Sequence, residues 1–315
     1  MTRLRRIAYG LIIFALVLGA APCVVSTIEQ SGSLTEARAD LGATLVNLKD
    51  GRTHYESAGP GSTRCVVLIH GASGPMSVWD KTVPALTARG RKVVRYHLYG
   101  RGLSDRPDGR HDLALYRRQL SGLLTELGCS GSADLVGSSM GSIIASDFAM
   151  ANPGRVDRVV LIGPAGFPIE ASPAASLLQV SLVGEYAMAV IGGPMLKRHN
   201  RKYYAEPERW PEAAVDFAAQ LRYPGYKRAI LSTMRHMPVS EYTDGYRALG
   251  RSKTPVVLIW GRHDATFPFS HFDEAKRLLA PIEAHAIADA AHLPQYEQPD
   301  AVNAILVRVL GSPLR

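Results

Sequence analysis

Ser139 stands in Gly137-Ser138-Ser139-Met140-Gly141, a hydroxyl flanked by glycines two positions away on either side. This is a G-x-S-x-G pattern. A serine hydroxyl is a poor nucleophile on its own. It needs an imidazole to take its proton, and the imidazole needs a carboxylate to hold its tautomer. Of the ten histidines, His292 in Ala291-His292-Leu293-Pro294 follows an apolar run near the C-terminus. Asp264, in Trp260-Gly261-Arg262-His263-Asp264, follows another such run. The chemistry expected of Ser139, His292 and Asp264 is acyl transfer through a covalent serine intermediate. Ser138 competes as hydroxyl but lacks glycines at the right offsets, and His263 and Asp289 are the nearest competitors for the other two roles. His54, His111, His199 and His236 read as packed or surface histidines.

Three such side chains, far apart in sequence, meet only if elements deliver them to one edge of a sheet. LGATLVNL and RTHYES flank Lys49-Asp50-Gly51, a hairpin signal. CVVLIH (65–70) is a short continuous apolar run, the pattern of a parallel strand covered on both faces. Further strands are expected at 92–98, 133–139, 156–163, 255–261 and 282–288. Helices are expected over about 76–88, 113–128, from Met140 to Asn152, about 270–280 and 301–310. The alternation predicts an α/β fold, a mostly parallel sheet with helices on both faces. It breaks between Pro164 and Lys253, where the segments are helix-like and aromatic-rich. That interruption is too long for an ordinary loop and reads as an inserted helical cap. The core is then 41–163 and 254–315, with the cap at 164–253 between strands 6 and 7.

The 315 residues carry 46% hydrophobic and 20% charged side chains, a globular composition that excludes wholesale disorder. Net charge is +8, of which Arg3, Arg5 and Arg6 supply three, and the rest is spread along the chain. No basic cluster interleaved with aromatics points to nucleic acid. The three arginines precede the apolar run Ile7–Val25. Residues 1–25 therefore read as a signal peptide or an N-terminal membrane anchor, and both fit. Residues 26–40 read as a linker. The body is expected outside the cytoplasm, with membrane association through the N-terminus, a transmembrane helix if the run is retained. Cys65 and Cys129 fall near one end of the expected sheet; a disulfide and two free thiols both remain open.

Taken together, these motifs resemble the α/β-hydrolase superfamily in its capped, esterase- or lipase-like form, over about 41–310. The order Ser139, Asp264, His292 is that family's order. His70-Gly71 at a strand end resembles its oxyanion motif, which implies that the backbone N–H groups of Ala72 and Met140 hold the oxyanion. Gly100-Arg101-Gly102-Leu103-Ser104-Asp105 resembles a second family signature, and His292…Glu297…Pro299 completes the set. One departure is His97, where family members commonly carry an acid; a role for it in substrate binding is left open.

The resemblance implies a serine hydrolase with no metal or organic cofactor, acting on a small-molecule acyl substrate. Serine at 139 sets it apart from relatives with a carboxylate nucleophile. Tyr203, Tyr204, Tyr223 and Tyr226 read as packing or pocket lining. Carboxylic esters, including lipid-like ones, are the first expectation, because Ala174–Val183 and Ala187–Ile191 suggest an apolar lid. A carbon–carbon bond hydrolase of the meta-cleavage type and a cofactor-free perhydrolase use the same triad. A non-enzymatic receptor or scaffold is the expectation from another class. The sequence says nothing of oligomeric state.

Overall fold

A computed structural model describes residues 32–311 except 62–63, 130 and 170–172, together with scattered positions between 9 and 27. Most of the Ile7–Val25 run, read above as a signal or anchor, lies outside the described residues. Among the described residues no helix is long and apolar enough to cross a membrane.

The first element of the continuously described chain is helix α1 (Leu34–Asp40), whose N-terminus is capped by the Ser33 hydroxyl accepting from the Glu36 N–H. Residues 26–40 were expected to be linker throughout; their second half is helix instead. The reason is tertiary: Arg38 is buried, donating to the Leu103 carbonyl at 2.8 Å and pairing with Asp105 at 2.6 Å. The Asp-Gly hairpin follows as β1 (Leu45–Leu48) and β2 (Gly51–Ala58). Then come β3 (Cys65–Ile69), a 3-10 turn at Met76–Trp79, α2 (Val83–Thr87) and β4 (Lys92–Tyr96). The single helix expected over 76–88 is thus two pieces. Pro84 takes its usual place in a first helical turn, where no N–H is required. After α3 (Leu113–Glu126), capped by Asp112, come β5 (Ala133–Ser138), α4 (Met140–Ala151) and β6 (Val156–Ile162).

Between β6 and the next strand the described chain is helical: α5 (Pro173–Gln179), α6 (Val183–Arg201), α7 (Pro211–Leu221), α8 (Tyr226–His236) and α9 (Thr243–Gly250). The first four share a small core of their own, with Leu178, Met188, Phe217 and Ile230. Helix α9 differs from what the cap boundaries imply, because its Tyr246 and Leu249 pack into the main core. The chain then resumes β7 (Val256–Gly261), α10 (Phe272–Leu279), β8 (Glu283–Ile287), α11 (Pro294–Glu297) and α12 (Pro299–Gly311).

The sheet order is β1-β2-β4-β3-β5-β6-β7-β8. β1/β2 and β2/β4 are antiparallel; the remaining pairs are parallel. Side chains alternate between faces, as a period of two demands. Cys65, Val67 and Ile69 join the apolar layer under α3 and α4, while Val66 and Leu68 join the layer under α2 and α12. Each fully buried aliphatic side chain of this kind stabilises by ~1.5–3 kcal/mol. Cys65 and Cys129 are joined in a disulfide, Cα to Cα 5.8 Å, tying the start of β3 to the turn after α3.

The order has a functional consequence. β4 lies on one side of β3 and β5 on the other, so the chain reverses its winding direction between β3 and β5. In open parallel sheets the crevice beyond the carboxyl ends of such a pair is where ligands bind.

Candidate active site

Ser139 follows the last residue of β5 and precedes the first of α4, with φ +55° and ψ −122°. A non-glycine residue held at positive φ is strained, and the neighbourhood explains why it stays there. A Cβ on Gly137 would lie 2.3 Å from the Gly141 carbonyl oxygen, and one on Gly141 would lie 2.2 Å from that of Ile69. Only glycine permits so tight a strand-to-helix turn beside β3. The Ser139 N–H donates to the Ile162 carbonyl at 2.9 Å, which fixes the turn to β6. Ser138, the competing hydroxyl, is fully buried and accepts from Gln295 Nε2 at 3.2 Å.

Asp264 lies just beyond β7 and His292 just beyond β8. The Nδ1–H of His292 donates to Asp264 Oδ2 at 2.8 Å. The other carboxylate oxygen accepts from the N–H groups of Thr266 and Phe267 at 2.8 and 3.0 Å. With Nδ1 carrying the proton, His292 Nε2 is left as an acceptor; it is buried and has no hydrogen-bond partner among the described residues. His292 and Ser139 line one cavity. Close approach between the two loops requires Gly261, where a Cβ would meet the Ala291 carbonyl oxygen at 1.9 Å. The competitors His263 and Asp289 are both exposed.

The His70-Gly71 loop runs against the serine: a Cβ on Gly71 would sit 3.1 Å from Ser139 Cβ. The Leu98 N–H donates to His70 Nε2 at 3.0 Å, so the proton of this ring resides on Nδ1, which donates to the Gly71 carbonyl at 2.8 Å. Burial holds the His70 pKa down to about 3, so the ring stays neutral. The bond to the Gly71 carbonyl orients the peptide whose other end is the Ala72 N–H. Ala72 offers that N–H, with no partner among the described residues, on the cavity wall. Met140 offers its own at the start of α4. Of the expected oxyanion pair, Ala72 thus lines the cavity with Ser139, and Met140 follows Ser139 in the chain.

Several supporting groups, some of them already named in the motifs, make contacts that motif spacing does not show. Arg101, fully buried, donates to the Ala72 carbonyl at 2.7 Å and to Thr233 Oγ1 of α8 at 2.7 Å. Gln220 and Tyr226 of the cap both donate to the Ser73 carbonyl, at 3.0 and 2.7 Å. Tyr203 Oη bonds Ser73 Oγ at 2.8 Å, and the Tyr203 carbonyl accepts from the His292 N–H at 3.0 Å. Glu297 accepts from Ala205 and Ala291, both at 2.7 Å, joining the cap to the histidine loop, and burial raises its pKa. The cap thus grips the expected oxyanion loop and the His292 loop together.

His97 is not at the cavity. It packs under Gly102 with its Nδ1 2.9 Å from His54 Nδ1, and burial drives its pKa far down. His54, read as bland, is its buried partner. Among the described residues, the apolar stretches expected to form a lid over the cavity do not line it either. The cap lines it with Asn200, Tyr203, Tyr204 and Ala213, alongside Val78, Leu293 and Tyr296 of the core.

The model of the alpha/beta hydrolase family matches residues 66–305. A 2-hydroxy-6-oxononadienedioate/2-hydroxy-6-oxononatrienedioate hydrolase of Paraburkholderia xenovorans is 29% identical over 298 residues, spanning 89% of this chain and 98% of its own. A 2-hydroxy-6-oxo-2,4-heptadienoate hydrolase of Pseudomonas putida is 27% identical over 278 residues, 84% of this chain and 94% of its own. Among solved structures, the enol-lactonase from Burkholderia xenovorans superposes with a TM-score of 0.73 at 21% identity, covering 85% of this chain and all of that one.

Proposed function

The chain belongs to the alpha/beta hydrolase family, and from that premise we propose that it hydrolyses a carbonyl substrate through an acyl-enzyme on Ser139. The observation that carries this reading is the His292–Asp264 bond, which holds the ring by Nδ1 and leaves Nε2 unpaired on a residue that shares a cavity with Ser139. His292 takes the Ser139 proton as Oγ attacks the carbonyl carbon. Asp264 holds the imidazole and steadies its positive charge. The N–H groups of Ala72 and Met140 meet the oxyanion, each worth ~3–4 kcal/mol of barrier. The proton on His292 then passes to the leaving group, and water activated by the same ring releases the acid.

For the substrate, the relatives favour the carbon–carbon bond alternative over the ester-first expectation. Those reported above are named for 2-hydroxy-6-oxo-dienoates, at 27–29% identity across nearly their whole length. We therefore read the chain first as a carbon–carbon bond hydrolase of the meta-cleavage type. The bond broken is the one beside the 6-oxo group. Its electron pair can leave because ketonisation at the 2-position puts an electron-accepting carbonyl in conjugation with it. A second reading, hydrolysis of neutral carboxylic esters, draws support from the cavity itself. No Lys or Arg lines it among the described residues, so a dicarboxylate substrate would meet polar groups such as Asn200 and Tyr203 without a cation.

The test has two stages. Ser139→Ala should lose fluorophosphonate labelling and lower turnover by about 10⁴-fold or more; undiminished turnover would sink the serine mechanism. The wild-type kcat/KM on a ring-fission dienoate is then compared with that on short-chain p-nitrophenyl esters. Preference for the esters removes the first reading in favour of the second.

A further inference from the structure

The cap buries one set of apolar side chains and leaves another in water. Leu182 is 80% exposed, and Leu177, Val180, Val183 and Ile191 are between 45% and 56% exposed. Four of them fall within the seven positions 177–183 at the corner where α5 turns into α6, and Ile191 follows about two turns further along α6. Apolar side chains scattered singly over a surface need no explanation, whereas a contiguous group marks an interaction site. The corner is built rather than frayed. Arg235 of α8 donates to the Leu178 carbonyl at 2.9 Å and the Val180 carbonyl at 3.1 Å, and pairs with Glu185. Gly184 admits that guanidinium, since a Cβ there would lie 2.4 Å from Arg235 Nη2. Leu182 itself is held at φ +65°, a conformation that costs a leucine energy while it stands in solvent.

Two further observations say what covers this face. Beyond the apolar positions, α6 and its C-cap present exposed Lys197, Arg198 and Lys202. The second concerns the chain that precedes the body. The Gly32 N–H donates to the Arg222 carbonyl at 3.0 Å, so the incoming chain is fastened to the cap at the end of α7. Val25, where the apolar run ends, is only seven positions earlier. At no more than ~3.6 Å per residue, the run ends within about 25 Å of that contact at Arg222, on the same cap that carries the corner.

We propose that the α5–α6 corner is a membrane-docking face. Leu177, Val180, Leu182, Val183 and Ile191 enter the acyl boundary of a bilayer, and its anionic headgroups meet Lys197, Arg198 and Lys202. Such faces bury an apolar stripe by ~5–10 Å and add electrostatic attraction to anionic lipid. The inference rests on the cap surface and on the Ile7–Val25 run being retained as an anchor, not on the substrate assigned to Ser139.

The experiment uses the full chain bearing Leu182→Trp on phosphatidylcholine vesicles with and without phosphatidylglycerol, carrying brominated acyl chains. The emission added by the new tryptophan should shift to the blue and be quenched by roughly half on the anionic vesicles, and less on the neutral ones. Lys197→Glu with Arg198→Glu should abolish that difference. Emission that stays red and unquenched on anionic vesicles overturns the proposal. So does a blue shift that follows protein concentration without lipid, which would put a second copy of the chain on the face. Fluorophosphonate labelling of each variant, expected at the wild-type level, reports that the fold is intact.

Discussion

Asp264 carries its two oxygens to different ends: one holds the His292 ring, the other is held by two backbone N–H groups of its own loop. A side chain with two accepting oxygens serves both sides at once. Asp264→Asn presents an amide N–H₂ towards one of these donors or towards the ring, forcing the loop to shift or the imidazole to adopt the wrong tautomer. Its kcat should fall by about 10⁴-fold with a small change in KM, read by steady-state kinetics on whichever substrate is turned over. A fall of less than tenfold would show that His292 is oriented by something else. The three residues were legible in the sequence because their chemistry constrains their type and each follows an apolar run. Arg101 was not, since an arginine between two glycines says nothing of the Ala72 carbonyl it reaches.

At the scale of elements, the turn between β5 and α4 is a collision avoided by two glycines. Gly141→Ala would drive a methyl group to 2.2 Å from the Ile69 carbonyl oxygen. β3 and β5 would have to separate just where the expected oxyanion donors sit. A loss of ~3 kcal/mol or more in unfolding free energy is expected, together with loss of fluorophosphonate labelling. Wild-type labelling in a Gly141→Ala protein would mean that the turn relaxes more cheaply than this packing allows. The strands and most helices were readable from their periodicity. The split of 76–88 and the helix at Leu34–Asp40 were not. The first depends on a proline, the second on a buried Arg38 whose partners are 65 and 67 positions away.

For the whole molecule, two conditions bear on stability. The Cys65–Cys129 bond closes a loop of sequence separation 64. Replacing both cysteines with serine should cost ~2–5 kcal/mol, read by urea denaturation with and without reductant; equal stability of the two proteins would make the bond incidental. The second condition is pH. His70 and His111 are each held near a pKa of about 3 by burial, and His54 and His97 are lowered for the same reason. In the unfolded chain these rings take up protons below pH ~6.5. The folded state refuses them, so the stability they confer is present above that pH and is lost as pH falls towards 3. Asp134 and Glu297, raised by burial, act with the opposite sign at the acid end. Each neutral histidine contributes up to ~1.4 kcal/mol per pH unit in that window. Denaturation curves between pH 7 and 4 should therefore lose stability steeply, and less steeply in His111→Phe. A flat profile in the wild type would mean that these rings are not kept neutral by the fold.

By itself the sequence determined the alternation of strands and helices and the interruption between β6 and β7, and it singled out Ser139, Asp264 and His292 as the residues proposed to react. Each of these is a local matter: a period, a turn, or a residue type that the chemistry demands. Only the tertiary structure decided which strands adjoin, that Cys65 meets Cys129, and that the cap grips the Ala72 and His292 loops through Tyr203, Gln220 and Tyr226. It also turned Leu182 and its neighbours to the outside of the cap rather than over the cavity. Contacts between residues a hundred positions apart leave no trace in spacing, because their geometry exists only once the sheet has brought the loops to one edge.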